Sequence, residues 1–254
     1  KGKAADIKAA LDGITSYKGN IEFDDAHKLD ELKAINTATD GTFTFKDNTV
    51  ALNGAAADVA AALDGITSYK GTVDITNNAD VEVKASDVKA IDTATDGKVT
   101  IKKQVLLKGS AADLNTVLTS AGVANDGEAK IEFEDAHDLD KLKAINNATT
   151  GAITLKKDDV DLKGKAADIK AALDGITSYK GNIEFDDAHK LDELKAINAA
   201  TAGSFTFKKD DVDFKGKAAD IAAALDGITS YKGNIEFEDA HPIDELKVIN
   251  NATA

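Results

Sequence analysis

Apolar and polar positions follow two rhythms that take turns along the chain. Ala4, Ile7, Leu11 and Ile14 recur at helical spacing and predict an amphipathic helix. Asp12-Gly13 predicts its end, since Gly accepts the left-handed conformation there. Asn20-Ile21-Glu22-Phe23 then alternates as a strand does. Leu29, Leu32 and Ile35 mark a second helix, Asp40-Gly41 breaks it, and Thr42-Phe43-Thr44-Phe45 alternates again. A further short strand, Val50-Ala51-Leu52, leads into the next helix.

This text repeats. "GNIEFDDAHKLDELKAIN" at Gly19–Asn36 returns almost unchanged at Gly181–Asn198 and Gly233–Asn250, with a looser copy at Ala129–Asn146. Aligned on its first helix, the chain falls into units 1–52, 53–107, 108–162, 163–214 and 215–254, each of two helix-strand halves. Units two and three carry insertions, chiefly 77–84 and 121–128, which predict loops in the connections. Unit two reads Val73-Asp74-Ile75, a polar turn, Val81-Glu82-Val83 and a helix opening near Ser86. That pattern belongs otherwise to second halves, so half a unit is the elementary piece. The chain is expected to form a single array over 1–254.

Strands alternating with helices predict parallel pairing through right-handed crossovers. The outward row Glu22, Thr44, Asp74, Thr100, Glu132, Thr154, Glu184, Thr206, Glu236 places a hydroxyl between successive acids. The next row, Asp24, Lys46, Thr76, Lys102, Glu134, Lys156, Asp186, Lys208, Glu238, alternates acid or Thr with Lys. Side-by-side strands would put complementary residues opposite each other, at about 0.2–1 kcal/mol per pair before screening. Phe23, Phe45, Ile75, Ile101, Phe133, Leu155, Phe185, Phe207 and Phe237 form the inward row, and Tyr17, Tyr69, Tyr179 and Tyr231 share one repeat position. Alternation with polar residues makes both sets core rather than a stacking strip for a ligand. The expected fold is a right-handed α/β solenoid: one parallel sheet, helices packed on one face, curved because helices need about twice the strand spacing.

Composition narrows the chemistry. The formal charge of −14 and pI near 4.7 oppose a nucleic-acid surface, which needs clustered cations. All positive charge is Lys; Arg is absent and with it bidentate clamps on phosphate. Absence of Cys removes disulfides and thiolate chemistry. No apolar run reaches membrane-spanning length, so no membrane insertion is expected.

The most suggestive cluster is Asp24-Asp25-His27, echoed at Glu134-Asp135-His137, Asp186-Asp187-His189 and Glu238-Asp239-His241. Carboxylates with imidazole could ligate a metal. Pro242 after His241 instead marks a helix start, which makes the His position the expected N-cap, with Asp25 sharing the task and Asp30 and Asp244 in the first turn. Unit two lacks the set, which favours the cap over a metal. The Asp158-Asp159 and Asp210-Asp211 turns match no calcium-loop pattern. Asn147-Ala-Thr and Asn251-Ala-Thr match the glycosylation sequon, at helix ends where chance suffices. No nucleophile elbow, P-loop or zinc-protease motif occurs. The acids and His sit at repeat-equivalent places, so no enzyme activity, catalytic residue, metal site or cofactor is expected.

"GKAADIAAALDGITSYKGNIEF" (Gly216–Phe237) and "LDELKAINAATAGSFTF" (Leu191–Phe207) resemble the tandem repeats of very large surface or secreted proteins of cyanobacteria and other Gram-negative bacteria. The resemblance implies an extracellular or cell-surface location and a role as stalk, spacer, adhesin or surface-layer component. A binding module using the polar sheet face, with a surface or glycan ligand, and an engineered repeat scaffold are the other readings. Ile7 and Leu11 in the first helix, and the stop at Ala254 before a second strand, are ordinary repeat text without polar caps. The expected partners are therefore neighbouring repeats or copies of the chain end-to-end.

Overall fold

Each predicted helix forms, and each is short. In the computed structural model, which describes residues 1–253, the chain is mixed α/β and divides into two compact units, Lys1–Glu132 and Phe133–Ala254. The first contains helices α1 (Ala4–Ala10), α2 (Leu29–Ala38), α3 (Ala56–Leu63), α4 (Ala85–Ala94) and α5 (Ala111–Thr119). The second contains α6 (Leu139–Ala148), α7 (Ala166–Leu173), α8 (Leu191–Ala200), α9 (Ala218–Leu225) and α10 (Ile243–Thr253). Within each unit consecutive helices pack side by side. Gly13, Gly65, Gly175 and Gly227 adopt positive φ after the first-half helices, as the Asp-Gly text predicts. The second-half break glycines serve a different purpose. A Cβ on Gly41 would stand 2.1 Å from the Gly19 carbonyl oxygen, and one on Gly203 would stand 2.0 Å from that of Gly181.

The strands pair in parallel, in the predicted register of acid against Thr. Glu22 faces Thr44 and Asp74 faces Thr100 in the first unit; Glu184 faces Thr206 in the second. Phe23, Ile75, Ile101, Phe133 and Phe185 of the inward row are buried, whereas Phe45, Leu155, Phe207 and Phe237 are half-buried.

Continuity is where the sequence reading needs correction, because the strands make several short ladders rather than one sheet. After Phe45 the chain detours, and the Asn48 carbonyl accepts the Lys70 and Gly71 amides. It returns as strand Leu52–Gly54, which takes the place beside Val73–Ile75. Asp158 and Asp210 repeat the detour, and Leu162–Gly164 and Phe214–Gly216 then pair with Ile183–Phe185 and Ile235–Phe237. A second-half strand is therefore not the direct neighbour of the next first-half strand.

The charge pairing moves with it. Lys1, Lys163 and Lys215 of the returning segments meet Glu22, Glu184 and Glu236 at 2.7, 2.6 and 2.5 Å. In the predicted Lys row, Lys156 lies 3.6 Å from Glu134, while Lys102 reaches Asp74 at 3.3 Å. All are exposed or half-exposed, and each contributes about 0–1 kcal/mol.

The insertion 121–128, expected as a loop, contains a strand instead. Val123–Ala124 pairs in parallel with Val99–Ile101.

The helices complete one another. Asn36 on α2 donates its amide to the carbonyls of Ala61, Ala62 and Asp64 at the end of α3, at 3.3, 2.9 and 2.8 Å. Asn146 does the same for the end of α7 and Asn198 for the end of α9. Terminal helix carbonyls have no intrahelical donor, so this side chain satisfies several at once. Asn36→Ala should cost about 1–3 kcal/mol, read as a lower urea midpoint and faster amide exchange in the Leu63–Ile66 turn. Asn36→Asp should not rescue it, because a carboxylate has no proton to donate.

Candidate functional site

The His-carboxylate cluster comes apart in three dimensions. The helices begin one residue later than the cap reading requires: Lys28, Asp138 and Lys190 are the N-caps of α2, α6 and α8. Asp138 accepts the Lys141 amide at 2.8 Å. Glu31 and Glu193 turn back to accept the Lys28 and Lys190 amides, each at 2.9 Å. Lysine carries no acceptor, so this is half of a capping box. Imidazole is a poor cap, and the structure uses it elsewhere.

Asp25 does cap a helix, but the preceding one. Its carboxylate accepts the amide of Ala4, first residue of α1, at 2.9 Å. Asp187 serves Ala166 of α7 at 3.0 Å and Asp239 serves Ala218 of α9 at 2.9 Å. In unit two Asn77 takes the role for Ala56 of α3 at 2.9 Å. The acid predicted as a ligand candidate thus answers an orphan amide 21 residues earlier.

His27 points inward and is 2% exposed. Its Nε2 lies 2.7 Å from the hydroxyl of Tyr69, and that hydroxyl donates to the Val50 carbonyl at 2.7 Å. A phenol has one proton, so the imidazole must donate Nε2–H to the phenol oxygen. The same chain runs from His137 through Tyr179 to Val160, and from His189 through Tyr231 to Val212. It leaves the Nδ1 lone pairs of His27, His137 and His189 buried without a partner. Neighbouring rings pack the imidazoles: Phe45 and Phe23 around His27, Phe207 and Phe214 around His189. His241 stacks on Phe237 with ring centroids 4.9 Å apart but is exposed. Among the described residues no group of three or more His, Asp or Glu is placed to hold a metal ion.

These pairs are not apparent from local periodicity, although the sequence carries a signal of them. His and Tyr recur 42 residues apart as His27–Tyr69, His137–Tyr179 and His189–Tyr231. Unit two has no His, and unit three, which follows it, has no Tyr. Tyr17, which bonds no His, is 41% exposed.

Burial pulls the His27, His137 and His189 pKa down against the weaker pull of nearby carboxylates, Asp47, Glu31 and Asp25 at His27 and Asp187 at His189; His189 falls to about 4. Burial pushes the paired phenols up.

A groove of about 1010 Å³ opens in the first unit between strand residues Thr42–Phe45 and the 64–68 segment after α3. Phe43, Phe45 and Ile66 supply its apolar wall, and Asn48, Thr67 and Ser68 its polar one. Asp40 and Asp64 are its acidic lining residues.

No family model matches the chain, and no curated protein is significantly similar to it.

The buried pairs make stability depend on acid. A His that ionises near 6.5 unfolded and near 4 folded favours the native state above about pH 6.5. That contribution should be lost as pH falls from 6.5 towards 4. Urea midpoints should therefore drop between pH 7 and pH 5, and His189→Gln should flatten the slope. An unchanged slope would mean that the imidazole can be protonated in place.

Proposed function

We propose that the chain is a structural repeat segment, a right-handed α/β solenoid with helices on one face, within a large extracellular or cell-surface protein. The observation that carries this reading is the fate of the reactive side chains. The imidazoles of His27, His137 and His189, the carboxylates of Asp25, Asp187 and Asp239, and the amides of Asn36, Asn146 and Asn198 all bond the text of an adjacent half-repeat or unit. Groups that a catalyst would keep free here hold repeat to repeat. A non-enzymatic role follows, and the resemblance to tandem repeats of bacterial surface proteins supports stalk, spacer, adhesin or surface-layer work. The absence of Cys and the acidic surface fit a segment exposed to solvent in any redox setting. No helix among the described residues is long and apolar enough to cross a membrane.

Two measurements test the proposal. Small-angle scattering should give an elongated particle, with a pair-distance function skewed towards short distances and a long tail; a symmetric function would reject the solenoid. An antibody raised against the chain should label intact cells that make the parent protein, or its medium. Signal that appears only after lysis would reject the surface assignment.

A further inference from the structure

In a parallel ladder each strand directs alternate residues' amides and carbonyls to opposite sides. Thr42 and Thr44 face the strand Ile21–Glu22: their carbonyls accept the amides of Ile21 and Phe23 at 2.8 and 2.9 Å. Phe43 and Phe45 therefore present their backbone groups to the other side. In the second unit Ser204 accepts from Ile183 and the Lys208 amide donates to Phe185, so Phe205 and Phe207 are turned outward too. Both strands are the last in their ladders. Their residues are half-buried or exposed, and the groove of about 1010 Å³ runs beside the first.

The same repeat position recurs at Ile153–Leu155, also the last strand of its ladder, and at Val99–Ile101, where the edge is filled. Val99–Ile101 aligns with Phe43–Phe45 and Phe205–Phe207, and it pairs on one side with Val73–Ile75 as they do with theirs. On its other side lies Val123–Ala124, in parallel register with Val99 opposite Val123 and Thr100 opposite Ala124. The Val99 amide donates to the Gly122 carbonyl at 2.8 Å, and the Gly127 amide donates to that of Ile101 at 2.9 Å. With this strand in place Val99, Thr100 and Ile101 are all buried. The occupant belongs to the insertion 121–128, which replaces the shorter segment lining the groove elsewhere.

We propose that the open edges at Thr42–Phe45 and Phe205–Phe207 are docking sites for an extended peptide, added as a parallel strand. The filled copy defines the ligand: small or β-branched residues of the Gly-Val-Ala kind, with a backbone free of Pro where it must donate. Affinity comes from main-chain hydrogen bonds, and selectivity from the Phe pair beneath alternate side chains. The site is the edge of the ladder rather than its polar face, and it stands apart from the role of the chain as a spacer.

The test uses the whole chain and an acetylated, amidated peptide with the text of Ser120–Gly127. Amide exchange is followed by NMR. In the free protein the Phe43 and Phe205 amides should exchange at least 100-fold faster than that of Val99. At millimolar peptide they should slow at least tenfold and their resonances shift, with Val99 unchanged. The same peptide with Pro at the Val position should do neither. Four results would overturn the proposal: edge amides already as protected as Val99, no response to the peptide, an equal response to the Pro peptide, or protection that grows with protein concentration alone. The last would assign the edge to a second copy of the chain.

Discussion

Short helices whose ends are closed by the neighbouring repeat are the constraint on which this structure depends. Helices of seven to eleven residues are marginal on their own, because nucleation costs more than so few bonds return. Their terminal amides and carbonyls form a large share of all their backbone groups. The N-cap position of α1, α3, α7 and α9 is Lys or Ala, with no side-chain bond of its own. An Asp or Asn from the following half-repeat supplies the acceptor, and at the far end of α3, α7 and α9 an Asn from the preceding helix supplies donors. Such a helix forms with its neighbours. That coupling fits the return of the strand-to-helix text Asp/Glu-Asp-Ala-His in four units: Asp25, Asp187 and Asp239, and His27, His137 and His189, each bond another piece of chain.

The pieces that sequence made legible are the ones governed by local rules. Helical spacing placed α2 on Leu29, Leu32 and Ile35, and the Gly13 stop follows from backbone sterics. Acid-Thr alternation gave the pairing register because opposed residues must be compatible. What stayed hidden depends on separation. Asp25 looked like a cap for the helix after it, and only the fold shows that it serves the helix before it. His27 looked like a cap or a ligand, and its phenol lies 42 residues on. The sheet was expected to be continuous because outward residues alternate, a test blind to a returning strand such as Leu52–Gly54 that slips between.

The buried His–Tyr–carbonyl chain shows how a polar group earns a place in an apolar setting. Each Tyr hydroxyl both accepts and donates, so the phenol is satisfied, while the imidazole keeps one nitrogen bare. An orphan acceptor costs on the order of 1–3 kcal/mol. The ring contacts with Phe and Tyr offset part of it. Burial favours the neutral imidazole, so the arrangement ties the join between units to pH, whatever the role of the chain.

Units two and three depart from the others together, and the departures are of one kind. At the join between them the His–Tyr pair is missing, and the strand Val123–Ala124 is present. In units two, four and five the segment after the first-half helix carries the Tyr inward to reach the His. Ser68, Ser178 and Ser230 immediately before it take positive φ, a costly turn for a residue with a Cβ. That turn leads the backbone away from the neighbouring edge. Without a Tyr to deliver, and with the longer insertion, unit three lays the same segment along the edge and bonds it. Two ways of joining units thus exclude each other in the same space: a side-chain relay that leaves a strand edge bare, or a strand that covers the edge. The repeats with the relay have kept the bare edge, and with it the backbone groups of Phe43 and Phe205 turned away from their paired strands.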